Sequence, residues 1–209
     1  MGTRERKKRE REERRELILN TAAEIMKEEG IESISIRKIA TRIEYSPAII
    51  YHYFQDKADI INHLMQRGYQ KIVNGLSSAL SPGDDPGQTL EKLTRRYIEV
   101  ALQMSDEYKT VQLNSSPGVL EFTSSLFKGA SARKPALKIL FQCLKDLYQD
   151  KAIDDDELEL TAQIISTATF GLIIKLILEK DFISQEQRTK LIDHHIKCII
   201  DEMVRQKPL

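Results

Sequence analysis

Residues 35–57, SIRKIATRIEYSPAIIYHYFQDK, decide the fold of the amino-terminal part of the chain. Ser35 is a residue type that caps helix N-termini, so the stretch predicts a short helix directly after it. One face of that helix is apolar and is expected to be buried: Ile36, Ile39, Ala40 and Ile43. Ser46 and Pro47 begin the next helix, because a proline at the first helical position lacks only an N–H that would have no helical partner.

This next helix, the third in the chain, is expected from Pro47 to about Phe54, and Ile50 and Phe54 supply its apolar side. A fourth helix follows from Lys57, and Gly30 is expected to end the first helix. Short helices joined by a tight turn form a helix-turn-helix arrangement. The major groove of B-DNA is about 12 Å wide and admits one α-helix when a second helix braces it against the backbone. The stretch therefore predicts DNA binding through the outward side of the third helix.

The chain resembles the TetR family of transcriptional regulators in the type and spacing of nine residues, Ile39, Ala40, Ser46, Ile50, Tyr51, Tyr53, Phe54, Lys57 and Ile60. The rest of the chain has helical periodicity with no convincing alternating strand. The resemblance implies an all-α fold, in which an N-terminal three-helix helix-turn-helix domain precedes a larger helical ligand-binding and dimerisation domain. We expect an arm and DNA-binding domain over residues 1–56, a connecting helix over 57–80, and an effector-binding and dimerisation domain over 81–209.

The resemblance also implies which residues contact an operator of double-stranded DNA: Ser35, Arg37, Ser46, Pro47, Ala48, Tyr51, His52, Tyr53 and Lys57. Two positions depart from the family pattern. Glu44 stands in the turn where the family usually has glycine, and Pro47 stands where a lysine or another polar residue is common. A non-glycine residue in the left-handed conformation costs about 1 kcal/mol, so the turn is expected to be strained or shifted. Glu44 also brings negative charge near DNA unless it pairs with Arg42 or turns away.

Other interpretations of these residues remain open at this stage. Tyr51 and Tyr53 would also suit packing between helices, and His52 and Lys57 would also suit a solvated surface. The first 71 residues carry a net charge of +3 and the remainder −3, which favours a nucleic-acid-facing amino end. The charged segment from Arg4 to Arg15 predicts a solvated helical extension, or else an arm that reaches DNA phosphate or the minor groove.

Six further helices are expected, near 87–104, 106–114, 118–129, 134–150, 155–180 and 184–206. A single helix-turn-helix makes few contacts, and such modules act as symmetric dimers. The last two helices have apolar positions at helical spacing, and the resemblance implies that two helices from each subunit form a four-helix bundle. The expected interface of the homodimer is Ile165, Ala168, Leu172, Leu176, Leu191, His195 and Ile199.

Aromatic, methionine and polar side chains between the fourth helix and this interface suit an apolar pocket. The expected pocket residues are Tyr97, Met104, Tyr108, Gln112, Phe122, Phe127, Phe141, Thr169 and Phe170. The resemblance implies a small apolar or amphipathic effector that releases the protein from DNA, and repression as the mode of regulation. Ordinary core packing explains the same residues, and a DNA-binding dimer without an effector is the alternative.

Motifs for catalysis and cofactor binding are missing from the sequence. It contains no Gly-rich phosphate loop and no nucleophile with a base at a suitable spacing, so a helical enzyme is a remote alternative. The His194, His195 and Cys198 group offers too few ligands for zinc. The two cysteines and the charged first sixteen residues favour a cytoplasmic protein. The apolar run over 162–178 is interrupted by polar residues and predicts a buried helix, not a membrane span.

Overall fold

The computed structural model describes residues 3–81, 83–149 and 153–204, and these residues form helices without any strand. The expected all-α fold is confirmed. The α-helices of the described residues are α1 (Thr3–Glu29), α2 (Ile36–Arg42), α3 (Pro47–Tyr51), α4 (Lys57–Ser78), α5 (Pro86–Gln103), α6 (Ser105–Gln112), α7 (Pro117–Thr123), α8 (Ala130–Arg133), α9 (Pro135–Leu147), α10 (Asp155–Leu178) and α11 (Gln185–Cys198). A 3₁₀ turn, Ile31–Ser33, follows α1, and a π-helical segment, Ile199–Val204, continues α11.

The chain divides into two compact units. The N-terminal unit comprises the residues up to Tyr69 together with Asp106–Thr123, and the C-terminal unit comprises Gln70–Ser105 and the residues from Ser124 onward. The chain thus passes between the units three times, once within α4 and once on each side of the α6–α7 segment. The expected three-part division, with boundaries after residues 56 and 80, stays a prediction. The two compact units have different boundaries, because α6 and α7 belong to the N-terminal unit.

Apolar residues of α1 to α4 form the core of the N-terminal unit, and α7 adds Val119 to it. The half-buried Phe122, Val111 and Tyr53 pack against this core. Gly30 ends α1 as the sequence predicts: its φ is 88°, and its N–H donates to the Met26 carbonyl oxygen at 3.0 Å. Glycine adopts this backbone conformation without the steric cost that a Cβ would impose.

In the C-terminal unit α5 packs against α9, α10 and α11. Helix α4 approaches α5 closely at Gly75, where an added Cβ would lie 2.6 Å from the Cγ2 atom of Val100. Helix α10 is long and apolar enough by composition to cross a membrane, but the same composition is found in the core helices of soluble proteins. Several of its apolar residues are buried within the unit.

The helix expected over 118–129 is wrong beyond Thr123. Two side chains of α10 bind the backbone of this stretch and take the place of helical hydrogen bonds. The Gln163 amide donates to the carbonyl oxygens of Ser125 and Phe127, at 2.9 and 3.1 Å. The buried Glu159 carboxylate accepts from the N–H groups of Gly129 and Ser131, each at 2.7 Å.

The carboxylate of Glu159 also accepts a hydrogen bond from the Ser131 hydroxyl. That hydroxyl, followed by the two N–H groups, lowers the pKa of Glu159.

The helix expected over 134–150 is found as α9, Pro135–Leu147. The expected end of the last helix at residue 206 lies outside the described residues.

Candidate nucleic-acid interface

Helix α2 is capped as the sequence predicts. The Ser35 hydroxyl accepts from the Lys38 N–H at 3.1 Å, and Ile36, Ile39 and Ala40 are buried while Ile43 is half-buried. A cap of this kind contributes about 1 kcal/mol to helix stability. The side chains of Ser35 and Arg37 are both exposed at the start of the helix, on the outside of the unit. The described part of the chain offers no ion-pair partner to Arg37.

The turn between α2 and α3 contains a residue in the left-handed backbone conformation, which glycine adopts most readily. Glu44 has a φ of 58°, and it is the one non-glycine residue with a positive φ among those described. The Tyr45 N–H donates to the Ala40 carbonyl oxygen at 2.9 Å and closes the turn. Because Arg42 pairs with Glu28 and Glu29 on α1, it does not neutralise Glu44. No other cation of the described residues pairs with the exposed Glu44 carboxylate in the turn.

Helix α3 presents its start outward and buries its other side. Ile50 is fully buried and Phe54 is 2% exposed, which confirms the predicted apolar side. The side chains at and just before its first turn, Ser46, Pro47 and Ala48, are all exposed. The helix ends at Tyr51 rather than Phe54, and Ser46 is its N-cap without a side-chain hydrogen bond. A turn continues from α3, since the Phe54 N–H donates to the Ile50 carbonyl oxygen at 3.0 Å.

The aromatic residues at the end of α3 have different environments. Tyr51 is 58% exposed and His52 is exposed, so neither packs within the subunit. Tyr53 is half-buried and packs against the core, which agrees with the packing interpretation for that residue. A hydrogen bond with the Tyr53 side chain makes the largest contribution to raising the pKa of Arg14 on α1. Sequence reasoning missed Arg14, although it lies four residues before Ile18, the first buried position of α1.

Lys57 is not a free cation. Its Nζ donates to the main-chain oxygen of Glu32 at 3.0 Å and lies 3.7 Å from the Glu32 carboxylate. Asp56 and Asp59 also supply acceptors at the start of α4: the Asp59 N–H donates to Asp56, and the Gln55 N–H donates to Asp59, each at 2.9 Å. Lys57 must therefore exchange Glu32 for a phosphate if it is to contact DNA.

The expected dimer residues fall into two groups. Three of them are already buried within one subunit: Ile165, Leu176 and Ile199. The other four are half-buried or exposed: Ala168, Leu172, Leu191 and His195. Sequence reasoning did not single out Leu160, Ile164 and Leu178, whose side chains are 62%, 56% and 55% exposed on α10.

The expected effector-pocket residues are divided between the two units. Six belong to the C-terminal unit: Tyr97, Met104, Phe127, Phe141, Thr169 and Phe170. Three belong to the N-terminal unit: Tyr108, Gln112 and Phe122. Phe122 packs against the core beneath the DNA-binding helices, so it has a packing role in that unit, and Tyr108 is buried, with 2% of its surface exposed. Among the described residues no group of three or more His, Cys, Asp or Glu side chains is arranged to hold a metal ion.

Comparison with known sequences identifies the same segment. The family described as "Bacterial regulatory proteins, tetR family" matches residues 18–64. The HTH-type transcriptional regulator MT0489 of Mycobacterium tuberculosis is 30% identical over 105 residues, a match that covers 50% of this chain and 44% of that protein. The HTH-type transcriptional regulator SAB2452 of Staphylococcus aureus is 25% identical over 171 residues, which is 78% of this chain and 83% of that protein.

Solved structures share the fold over most of the chain. A bacterial regulatory protein in the tetR family from Rhodococcus RHA1 has a TM-score of 0.65 at 16% identity, over 91% of this chain and 96% of that one. The fatty acid degradation regulator FadR from Bacillus halodurans has a TM-score of 0.68 at 17% identity, over 89% of this chain and 94% of that one. The likeness therefore extends beyond the helix-turn-helix to the C-terminal helices.

Proposed function

Because the chain belongs to the TetR family of transcriptional regulators, we propose that it binds a palindromic operator as a homodimer, represses transcription there, and is released by a small effector. The observation that carries the DNA-binding part is the outward presentation of Ser46, Pro47 and Ala48, while Ile50 and Phe54 hold α3 in the core. Small residues at the start of a recognition helix let the backbone come close to base edges.

The proposed contacts follow from exposure and charge. Ala48, Tyr51 and His52 face solvent and would read bases or contact phosphate. Ser35 and Arg37 at the start of α2 would contact the backbone, where an exposed and unpaired guanidinium suits a phosphate. Tyr53 would contact DNA through its hydroxyl, and Lys57 would contact a phosphate after its contacts with Glu32 are broken.

Exposed apolar residues on α10 support the homodimer. Leu160, Ile164 and Leu178 lie at helical spacing, and Gly171 lies between them with open space around its Cα. Large apolar side chains exposed along one face of a helix can mark an interaction site. A second copy of α10 would cover it in a symmetric contact, with the neighbouring Ala168 and Leu172 on α10. On α11, Leu191 and His195 are the proposed partners.

The effector would bind among aromatic and methionine side chains of the C-terminal unit, of which Phe141, Met104 and Phe170 are half-buried. The FadR structure is named for fatty acid degradation, so we propose that apolar acyl compounds are the first effectors to test. The effect of effector binding would reach the DNA-binding helices through the covalent connections between the two units. The α6–α7 segment belongs to the N-terminal unit, yet it is joined at both ends to the C-terminal unit.

An effector that binds the released conformation more tightly than the DNA-binding conformation, by about 1–3 kcal/mol, would change operator occupancy 5–150-fold. A dimer that binds DNA without an effector is the second candidate, because Phe122 packs against the core of the N-terminal unit and Tyr108 is fully buried. The relatives named above are transcriptional regulators and the two structures are regulatory proteins, so we propose a binding function in the cytoplasm and not catalysis.

Selection of duplexes from a random DNA pool, followed by light scattering of the complex, tests the proposal. We expect an inverted repeat whose half-sites are separated by one helical turn or a multiple of it, bound by two subunits. Enrichment of no sequence, or a single asymmetric half-site bound by one subunit, would contradict it. Thermal unfolding with palmitate and with palmitoyl-coenzyme A then tests the effector, and only a ligand that both stabilises the protein and releases the duplex supports the sensor.

A further inference from the structure

The inward face of α1 changes from apolar to cationic where the helix extends past the domain. Helix α1 is continuous from Thr3 to Glu29. Its residues buried against the core, Ile18, Ala22, Ile25 and Met26, recur at three- and four-residue steps. The same steps, continued toward the amino end, pass through basic residues: Arg15, Arg14, Arg11, Lys8, Lys7 and Arg4. At 100° per residue these six side chains occupy about one third of the helix circumference.

The two faces of the extension differ in their ion pairs. Around the rest of the helix, Arg6 pairs with Glu10 at 3.3 Å and Arg9 pairs with Glu13 at 3.5 Å. By contrast, the described residues provide no ion-pair or hydrogen-bond partner for the side chains of four exposed cations on the inward face: Arg4, Lys7, Lys8 and Arg11. We call these four residues the basic stripe. Four unpaired like charges on one face repel one another, and a polyanion would relieve that repulsion.

Arg14 and Arg15 fix the side of the domain on which the basic stripe lies. Two nitrogens of the His63 ring lie 3.1 and 3.2 Å from a guanidinium nitrogen of Arg15, and the guanidinium carbon lies 5.3 Å from the centre of the Phe54 ring. Arg14 is hydrogen-bonded to Tyr53, directly after α3. The cationic face of α1 therefore meets the domain at the end of the proposed recognition helix.

We infer, on the basis of the DNA-binding function proposed above, that the basic stripe is a second DNA contact, which binds backbone phosphates of the duplex beside the groove that α3 enters. Arg4 lies about 15 Å along the helix axis from Arg14, a length over which a duplex offers several phosphates. Cations that neutralise phosphates release counterions, so this contact adds affinity and salt dependence without sequence preference.

A matched pair of double variants tests the basic stripe. Lys7→Gln/Arg11→Gln removes two of its charges, and Arg6→Gln/Arg9→Gln removes two charges from the same segment on the other side of the helix. Both change the net charge equally, and Gln, Lys and Arg have similar helix propensities. Affinity is measured by fluorescence anisotropy against salt concentration, with the duplex that wild-type protein selects and with a scrambled duplex of equal length.

For Lys7→Gln/Arg11→Gln, which removes four charges from a homodimer, we expect the salt slope on both duplexes to fall by roughly three to four units, and affinity at about 0.1 M salt to fall at least on the order of tenfold. Arg6→Gln/Arg9→Gln is expected to change the slope by less than half as much. Specific binding by wild-type protein with equal slopes for the two variants would overturn the basic stripe and leave the proposed function intact. Wild-type protein that binds no duplex would overturn both. If Lys7→Gln/Arg11→Gln protein binds phosphatidylglycerol vesicles more weakly than wild-type protein does, while its DNA affinity is unchanged, the partner of the basic stripe is a membrane surface and not DNA.

Discussion

The Nζ atom of Lys57 lies 3.0 Å from the main-chain oxygen of Glu32 and 3.7 Å from a carboxylate oxygen of the same residue. Lys57 is the lysine of the family-like motif, and in this chain an acidic residue between α1 and α2 holds it. Glu32 is 82% exposed at its side chain, so the pair is screened by solvent and is readily exchanged for a stronger anion. A DNA phosphate is such an anion.

Replacement of Glu32 by glutamine is expected to strengthen DNA binding, because it removes the carboxylate charge that competes for Lys57 and leaves only the neutral main-chain oxygen. Lys57→Ala is expected to weaken binding about equally for all sequences and to lower the salt slope by roughly one unit. The gain from Glu32→Gln should largely disappear when Lys57 is already alanine. A salt titration of the two single variants and the double variant measures this coupling. If the effects of the two changes simply add, Glu32 does not compete with DNA for Lys57, and unchanged affinity and salt slope in Lys57→Ala protein would show that Lys57 does not bind phosphate.

Glu44→Gly is expected to stabilise the protein. Glu44 has a φ of 58°, a conformation that costs a residue with a Cβ about 1 kcal/mol. Since glycine also gains freedom in the unfolded chain, we expect a net increase of about 0.5 kcal/mol in the free energy of unfolding. Urea denaturation measures it. Glu44→Ala keeps the Cβ and removes the same charge, so it separates relief of backbone strain from relief of charge repulsion. A Glu44→Gly protein that is less stable than Glu44→Ala protein would show that the conformation of Glu44 is not strained.

An aspartate in place of Ile164 is expected to give monomers in light scattering. Ile164 is 56% exposed on α10, so a charge there leaves the subunit core intact and is desolvated only if a partner covers it. Leu126→Asp is the matched control, because Leu126 is 67% exposed in the same unit and lies outside the proposed interface. Dimers that persist in Ile164→Asp protein would place the interface on another surface. A charge at the half-buried Leu172 should also disrupt the dimer, together with some loss of subunit stability.

Acidification is expected to destabilise the C-terminal unit through His195. Its Nε2 lies 3.1 Å from the Thr169 hydroxyl oxygen, and that hydroxyl donates its one proton to the Ile165 carbonyl oxygen at 2.8 Å. His195 must therefore donate from Nε2, and burial lowers its pKa below 6.5. The unfolded chain binds the proton more readily, so stability is retained above about pH 6.5 and falls as the pH drops below that value.

Thermal unfolding between about pH 5 and pH 7.5 measures the contribution of His195. His195→Gln keeps a donor for Thr169 and cannot titrate, so its stability should depend less on pH than that of wild-type protein. His194→Gln, at the exposed neighbouring position, should keep the pH dependence of wild-type protein. A His195→Gln profile parallel to wild type would show that other groups determine the acid sensitivity.

Local rules were sufficient for the helix-turn-helix. The Ser35 cap, the Gly30 stop and the buried pair of Ile50 and Phe54 each depend on residues within one or two turns of helix, so the sequence predicts them directly. The break after Thr123 could not be predicted in this way. It depends on Glu159 and Gln163, which are about thirty residues or more further along the chain and bind the backbone of the 125–131 stretch.

Apolar periodicity has a similar limit on α10. It finds Ile165 and Leu176 because they are apolar at helical spacing, but it does not distinguish the core of a subunit from a surface that a second subunit would cover. The structure separates these cases, since those two residues are buried and Leu160, Ile164 and Leu178 are exposed. The same reasoning applies to Phe122, whose aromatic side chain suits a pocket by type and packs in the N-terminal unit by position.

Parallel selection from random duplex DNA by wild-type protein and by His52→Asn and Ala48→Ser variants tests most directly whether the exposed side of α3 reads bases. We expect wild-type protein to enrich an inverted repeat, and each variant to enrich a repeat that differs at symmetry-related positions in the two half-sites. Variants that select the wild-type repeat unchanged, or wild-type protein that enriches no repeat at low salt, would contradict the assignment of α3 as the recognition helix.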